Sequence, residues 1–214
     1  MDAGCGSGEQ ALALQTRYPD AHILALDTAQ SMLEHGQAQV GEGKNNITWL
    51  CADANTLPVR DHSVDLIFAN FLLPWQDQPL LSLREFRRIL RPQGLFVFSS
   101  LGPNTLAEWR AHFSEAAFPH VVDLHNLGDA LLREGFVDPV LDVDDYQVTY
   151  QHPEKLMHEL YTSGLFMEAS LPQQMSMEKA LQFEIVYGHV WGKEKPQANE
   201  VRVPIGQIKG IVQK

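Results

Sequence analysis

The chain has 214 residues, of which 44% are hydrophobic and 20% are charged, as in an ordinary globular domain with room for a substantial core. It contains no uninterrupted apolar run of about 18 residues, so we expect no contact with a membrane. The net charge of −11 argues against broad binding to nucleic acid, because such binding needs positive charge to displace counterions. Cys5 and Cys51 are too few for a disulfide framework and lack metal-ligand spacing, so we expect a cytoplasmic protein without a metal.

The first feature along the chain is a glycine loop, "DAGCGSG", in which Gly4, Gly6 and Gly8 follow Asp2. Glycine lets the backbone turn tightly and lets a ligand approach the main chain. The loop alone is a weak signal, since many glycine turns bind nothing, and the absence of a following Gly-Lys-Ser/Thr excludes a nucleoside triphosphate P-loop. A hydrophobic strand normally leads into such a loop, but only Met1 precedes Asp2. We therefore expect the first strand to be largely missing and the sequence to be N-terminally truncated.

Strand and helix signals alternate along the rest of the chain. The apolar runs predict strands at 21–27, 46–53, 63–70, 93–100 and 181–192. The stretch 140–150 predicts either a pair of strands or one bent strand. Amphipathic patterns predict helices at 9–18, 28–40, 79–90, 104–118, 124–135, 153–163 and 171–179. Thr28 and Asn104 are the expected N-caps of two of these helices, and Gly135 is expected at a helix C-terminus. Alternation of this kind predicts a parallel sheet with helices on both faces.

Acidic residues stand at the ends of the predicted strands, where such sheets bind their ligands. Asp27 ends one strand about 20 residues after the glycine loop, a position from which a carboxylate can accept both hydroxyls of a ribose. Asp53 ends the next strand and could accept a hydrogen bond from the exocyclic amine of adenine. Any one of these acids could instead cap a helix, but three in order, with Asp2, favour a nucleoside-containing ligand.

The motifs "DAGCGSG", "ALD", "CADANTLP", "SVDLIFANFLLPW" and "RILRPQGLFVFSS" resemble the successive motifs of class I S-adenosylmethionine-dependent methyltransferases over residues 1–101. Within that superfamily, "NFLLPW", "LGPNTLAEWR", "DLHNLGDALLREGF" and "VYGHVWG" resemble the biotin-pathway enzymes of the BioC type, the malonyl-[acyl-carrier protein] O-methyltransferases. Some of these stretches are also similar to the complex I assembly factor that hydroxylates an arginine. That S-adenosylmethionine-binding type and another small-molecule methyltransferase are the alternatives.

The resemblance implies an α/β fold: a Rossmann-like class I methyltransferase sheet with helices on both faces and a helical insertion before the last strand. It implies a single domain over 1–214, with a cofactor-binding half at 1–101. The substrate half at 102–214 would contain the insertion at about 152–179. The expected reaction is methyl transfer from S-adenosyl-L-methionine to the free carboxylate of a malonyl thioester. The expected partner is acyl-carrier protein, and we expect a monomer.

The resemblance also assigns site residues. The cofactor-binding residues it implies are Asp2, Gly4, Cys5, Gly6, Gly8, Asp27, Thr28, Met32, Asp53, Ala54, Asn70 and Leu72. A malonyl carboxylate is already ionised and needs no general base, so no residue is assigned as catalytic with certainty. The substrate-positioning candidates are Arg110, as a cationic clamp for the carboxylate, and Trp75, as a wall of the methyl-transfer site.

Four arginines cluster in "LREFRRILRP", at Arg84, Arg87, Arg88 and Arg91. Their spacing places them loosely on one side of a helix. They form either an ordinary solvated helix face or a docking patch for an acidic partner such as the carrier protein.

Overall fold

The computed structural model describes residues 1–40, 46–150, 152–167 and 181–194. The predicted helix at 171–179 and the polar tail that follows residue 194 lie outside the described residues. None of the described helices is long and apolar enough to cross a membrane.

The described strands form one seven-stranded sheet, which confirms the predicted Rossmann-like class. The strands are β1 (Asp2–Ala3), β2 (Ile23–Asp27), β3 (Ile47–Cys51), β4 (Val64–Asn70), β5 (Leu90–Leu101), β6 (Val137–Val148) and β7 (Leu181–Trp191). Their order is β3-β2-β1-β4-β5-β7-β6. The five strands from β3 to β5 in this order run parallel to one another, whereas β7 is antiparallel to both of its neighbours, β5 and β6. The strand order reverses between β1 and β4, so a ligand site is expected at the carboxyl ends of these strands.

Helices lie between most consecutive strands. They are α1 (Glu9–Arg17), α2 (Gln30–Val40), α3 (Pro79–Ile89), α4 (Ala107–Arg110), α5 (Leu124–Arg133) and α6 (Pro153–Thr162). Asp123 caps α5 by accepting hydrogen bonds from the backbone N–H groups of His125 and Asn126. Gly135 follows α5 with φ +86°, as its predicted C-terminal position requires. The helix α6 confirms the first part of the predicted insertion.

Two helix predictions were wrong in detail. The segment 104–118 is not one helix but the short α4 and a 3-10 turn at Glu115–Ala117. Leu106 lies in the left-handed region (φ 52°), and the side chain of Asn104 donates to Glu184 on β7 instead of capping a helix. Thr28 is not the N-cap of α2, because the helix begins at Gln30 and the carboxylate of Asp27 accepts the Ala29 N–H.

Two apolar clusters account for most of the described core. The larger lies between the sheet and α3 and α5, where Phe96 packs against Phe86, Phe98 and Phe136 with ring centroids 4.9–5.8 Å apart. The second lies over the carboxyl end of the sheet and joins Trp109, Phe113, Phe118 and Phe166 to α6. Burial of these aromatic side chains fixes the 104–118 segment without a long helix.

Strand β1 has two residues, whereas its neighbours continue further toward the amino edge of the sheet. Ile23 and Leu24 of β2 and Val64 and Leu66 of β4 line a cavity of about 950 Å³ there. The cavity therefore lies at the edge opposite the expected ligand site.

Candidate cofactor and substrate site

The glycine loop turns sharply at the carboxyl end of β1. Gly4, Gly6 and Gly8 all have positive φ, at 71°, 52° and 82°, a conformation that favours glycine. The backbone N–H groups of Gly4 and Cys5 both donate to the carbonyl of Leu26 on β2, at 2.8 and 2.9 Å. The loop is therefore fixed against the neighbouring strand before any ligand binds.

Asp27 holds this loop from the end of β2. One carboxylate oxygen, Oδ2, accepts the Gly6 N–H at 2.9 Å, and Oδ1 accepts the Ala29 N–H at 2.8 Å. A carboxylate has about four lone-pair positions, so each oxygen can still accept a further hydrogen bond. Asp27 is half-buried, and its remaining acceptor capacity suits the two hydroxyls of a ribose.

Close packing around the loop involves three residues that were not predicted as site residues, Ser7, Gly36 and Trp49. A Cβ at Gly8 would lie 2.2 Å from the Trp49 ring, and one at Gly36 of α2 would lie 2.3 Å from the Ser7 carbonyl oxygen. A Cβ at Gly4 would meet Leu72 at 2.9 Å. Gly36 lies inside a helix pattern, and no turn residue stands beside it. That its missing side chain allows α2 to pack closely against the loop can be recognised only from the tertiary contact.

The space on the other side of the loop is open. A Cβ built at Gly6 meets only the Cε of Met32, at 3.7 Å, and Met32 itself is exposed. Thr28 is exposed beside Asp27, and its carbonyl accepts from the thiol of Cys51 at 3.5 Å. The structure thus brings both residues to the loop with their side chains accessible.

Asp2 lies beneath the loop and is buried, at 1% exposure. Burial raises the pKa of Asp2 to about 7, although the charge of the neighbouring Met1 ammonium acts to lower that pKa. The Oδ2 atom of Asp2 has no hydrogen-bond partner. The adjacent Cys5 is also buried, and burial raises the pKa of its thiol to about 12. Cys5 is therefore a neutral packing residue of the loop and not a nucleophile.

Asp53 and Ala54 follow β3 at the same edge of the sheet. The Oδ1 atom of Asp53 accepts the Asn55 N–H at 2.8 Å, an Asx turn that leaves this exposed carboxylate with acceptor capacity. Ala54 is buried in the larger core cluster. A hydrogen bond from α3 stabilises this turn: the hydroxyl of the buried Ser82 donates to the Asn55 Oδ1 at 2.8 Å.

Asn70 and Leu72 follow β4, and the turn between them is held by β5. Phe71 has φ 54°, and its N–H donates to the hydroxyl of Ser99 at 3.0 Å. The Ser99 hydroxyl in turn donates to Oδ1 of Asn70 at 2.6 Å. Ser99 was not predicted as a site residue, because its position in an apolar strand gives no local signal.

These groups fit an adenosyl cofactor. Three observations bear on the fit: an open cradle over Gly6, acceptor capacity at Asp27 and Asp53, and the unpartnered buried oxygen of Asp2. All three lie at the carboxyl edge, beside the reversal of strand order. Within the described part of the chain, no group of three or more His, Cys, Asp or Glu residues could hold a metal ion.

The two substrate candidates lie in neighbouring segments over this edge. The Trp75 ring packs beside Gly164, after α6, and remains 44% exposed. Arg110 donates to the carbonyls of Thr105 and Pro119 at 3.0 and 2.9 Å, and its guanidinium lies 4.7 Å from the centroid of Phe118. The next residue, His120, donates its backbone N–H to Pro74. One loop thus connects the Arg110 and Trp75 segments.

The arginine cluster is built into the fold at the opposite edge of the sheet. Arg88 binds Glu85, Asp61 and two backbone carbonyls, those of Val59 and Leu57. Arg84 pairs with Glu134, Arg91 pairs with Asp65, and Arg87 donates to the Gly135 carbonyl. Each of the four guanidinium groups thus has a partner within the chain, and for three of them that partner is a carboxylate. The structure therefore does not favour a docking patch here.

Comparison with known proteins identifies the family of the chain. The model of the methyltransferase domain family matches residues 1–98. The malonyl-[acyl-carrier protein] O-methyltransferase of Methylovorus sp. (strain MP688) is 34% identical over 96% of this chain and 78% of its own length. The enzyme of the same name from Laribacter hongkongensis is also 34% identical, over 89% of this chain and 74% of its own.

A solved structure shows the same fold at low identity. The YcgJ protein of Bacillus subtilis superposes with a TM-score of 0.67 at 17% identity and covers 90% of this chain and 91% of its own. With the sequence matches, which extend beyond the cofactor half into the substrate half, these findings establish that the chain belongs to the malonyl-[acyl-carrier protein] O-methyltransferase family.

Proposed function

We propose that this protein transfers a methyl group from S-adenosylmethionine to the free carboxylate of a malonyl thioester on acyl-carrier protein, as a step of biotin biosynthesis. The observation that carries the proposal is the 34% identity to the Methylovorus enzyme over 96% of this chain. The carboxyl-edge site supports it, because its glycine loop and two accessible acids are the groups that an adenosyl ligand needs.

Five of the proposed cofactor-binding residues have a specific role. The backbone of Gly4, Gly6 and Gly8 would lie against the methionine portion, Asp27 would accept the ribose hydroxyls, and Asp53 would accept the adenine amine. Around them, Asp2, Cys5, Thr28, Met32, Ala54, Asn70 and Leu72 would form the rest of the cofactor site.

The reaction requires positioning more than proton transfer. S-adenosylmethionine, when bound, supplies an electrophilic methyl group on a sulfonium. A malonyl carboxylate is ionised at neutral pH and can attack directly, so no general base is needed. The protein's part is to align the carboxylate and to exclude water.

Arg110 and Trp75 are the residues we assign to the acceptor side. Burial lowers the pKa of the Arg110 guanidinium but leaves it charged, and partial desolvation strengthens its attraction for a carboxylate. Trp75 offers an exposed apolar face beside α6 that would shield the reacting groups from water.

We further propose that the protein acts as a cytoplasmic monomer. Both Cys5 and Cys51 are free thiols, which suits a reducing compartment. Size-exclusion chromatography with light scattering tests the oligomeric state directly, and a stable dimer would contradict that part of the proposal.

The test of function is a methylation assay with matched carriers. The purified chain is incubated with S-adenosylmethionine and either malonyl- or acetyl-carrier protein, and the products are analysed by mass spectrometry. Methylation of the malonyl form only is expected, since acetyl lacks the carboxylate. Equal methylation of both carriers, or of neither while a different small-molecule acceptor is methylated, would contradict the proposal.

A further inference from the structure

We propose that Ser99 is a positioning residue that orients the side-chain amide of Asn70, so that its NH₂ group donates a hydrogen bond to a ligand carboxylate. The proposal deepens the function proposed above, on which it rests, by assigning a donor at the end of β4 and the group that aims it. The carboxylate belongs either to the methionine part of the cofactor or to the malonyl substrate.

The orientation follows from the hydrogen bonds of one hydroxyl. Ser99 is buried, at 5% exposure, and its Oγ accepts the Phe71 N–H at 3.0 Å. The same Oγ lies 2.6 Å from the side chain of Asn70, a length typical of O–H···O and shorter than the usual N–H···O distance. The hydroxyl proton therefore points to Asn70, and the atom that receives it is the acceptor Oδ1.

This arrangement settles which end of the amide is available. The oxygen and nitrogen of an Asn side chain are distinguished by their hydrogen-bond network, and here the donor from Ser99 fixes the oxygen. Asn70 is half-buried, and its Nδ2 has no hydrogen-bond partner among the described residues. Asn70 thus presents two N–H donors at the carboxyl edge of the sheet, on the strand next to the glycine loop.

The same serine supports the strained turn that follows Asn70. Phe71 has φ 54°, an uncommon value for a large residue, and Leu72 after it lies in contact distance of Gly4. The Phe71 N–H also lies 3.2 Å from the backbone carbonyl of Ser99. Removal of the hydroxyl leaves the turn held by the hydrogen bond from the Phe71 N–H to the Ser99 carbonyl. Ser99→Ala in the Asn70→Ala background measures any effect that passes through the turn instead of through Asn70.

A carboxylate is the ligand group that the Asn70 amide would bind most strongly. A neutral amide donor toward an ionised carboxylate forms a charge-assisted hydrogen bond. An acidic residue in place of Asn70 would still accept the Ser99 proton but would repel the ligand. Asn70→Asp is accordingly an isosteric variant that keeps the Ser99 contact and reverses the proposed interaction.

The experiment compares Ser99→Ala, Asn70→Asp, Asn70→Ala and the Ser99→Ala/Asn70→Ala double variant with the wild type. Calorimetry gives the Kd of S-adenosylmethionine without turnover, and steady-state kinetics with a small malonyl thioester gives KM. We expect about a tenfold or larger loss of affinity for the carboxylate-bearing ligand in Asn70→Asp and a three- to tenfold loss in Ser99→Ala. Ser99→Ala should add no further loss in the Asn70→Ala background.

The two ligand sources give different results. A raised cofactor Kd identifies the cofactor carboxylate, whereas an unchanged Kd with a raised KM identifies the malonyl carboxylate. The proposal would be overturned if Asn70→Asp bound both ligands as the wild type does. It would also be overturned if Ser99→Ala caused the same loss of affinity in the wild-type and the Asn70→Ala backgrounds. Since cofactor binding is read without an acceptor, a failure of malonyl methylation in the wild type would count against the proposed function alone.

Discussion

At the scale of single residues, Asp27 has two functions in the structure. It fastens the glycine loop through Gly6 and the start of α2 through Ala29, and its remaining lone pairs are available to a ligand. We expect Asp27→Ala to weaken S-adenosylmethionine binding by about 1.5–3 kcal/mol, roughly 10- to 150-fold, because charge-assisted hydrogen bonds are lost. Calorimetry measures the change, and Asp27→Asn, which keeps one acceptor oxygen, should lose less. Unchanged affinity in Asp27→Ala would remove Asp27 from the cofactor site.

Asp2 gives a residue-scale prediction about pH. Because burial raises its pKa from 3.8 to about 7, the folded chain holds a proton that the unfolded chain releases, so this residue's contribution to stability falls as pH rises between those values. The buried Met1 ammonium, which Asp2 and Asp65 face, acts with opposite sign. Burial lowers its pKa from 8.0 to about 6, and stability rises with pH across that window.

We therefore expect Asp2→Asn to remove the fall in stability from about pH 4 to 7, a change on the order of 2–4 kcal/mol, and to leave the rise between about pH 6 and 8. Urea unfolding at a series of pH values measures both arms. A variant whose profile matches that of the wild type would show that Asp2 is ionised in the folded protein.

At the scale of elements, the approach of α2 to the glycine loop depends on Gly36. A Cβ at Gly36 would lie 2.3 Å from the Ser7 carbonyl and 2.7 Å from the Trp49 ring, so helix and loop would have to separate. We expect Gly36→Ala to destabilise the fold by about 1–3 kcal/mol and to weaken cofactor binding, because the loop would shift.

Gly128 of α5 is the matched control for this prediction. A Cβ there would meet only Leu141 Cδ1, at 3.4 Å, which is near ordinary contact. Gly128→Ala should be neutral or stabilising by up to about 1 kcal/mol, since alanine favours a helix. Denaturant unfolding of both variants decides the matter: equal effects at the two glycines would refute the proposed close approach of α2.

At the scale of the whole molecule, the arginines of α3 connect the sheet to its amino-edge loops. Arg88 is 31% exposed in its side chain and bridges Glu85 and Asp61, so we expect Arg88→Ala to cost about 1–2 kcal/mol of stability. Arg84→Ala, at a more exposed pair with Glu134, should destabilise the protein less than Arg88→Ala does. Thermal and denaturant unfolding compare the two variants.

The same variants test where the carrier protein docks. Arg88 lies at the edge opposite the proposed cofactor site, so Arg88→Ala should leave the ratio of KM values for malonyl-carrier protein and a small malonyl thioester unchanged. A rise in KM for the carrier substrate alone would instead support the docking-patch interpretation of the arginine cluster.

The sequence by itself determined the features that depend on local pattern. Apolar runs and amphipathic periodicity predicted the strands and most helices, and the acids at 27 and 53 were correctly placed at strand ends because parallel strands share a carboxyl edge. The glycine loop was readable because positive φ at Gly4, Gly6 and Gly8 demands that residue type.

Only the tertiary structure decided the features that depend on contacts between distant segments. The 104–118 segment breaks into short turns because Asn104 binds Glu184 and because Trp109 and Phe113 pack against Phe166. The structural role of the α3 arginines depends on hydrogen bonds to carboxylates and backbone carbonyls that are distant in the sequence. The Ser99–Asn70 contact spans 29 positions and has no local signature. Periodicity reports which face of an element is buried, but not the partner it meets, so such pairings appear only once the chain is folded.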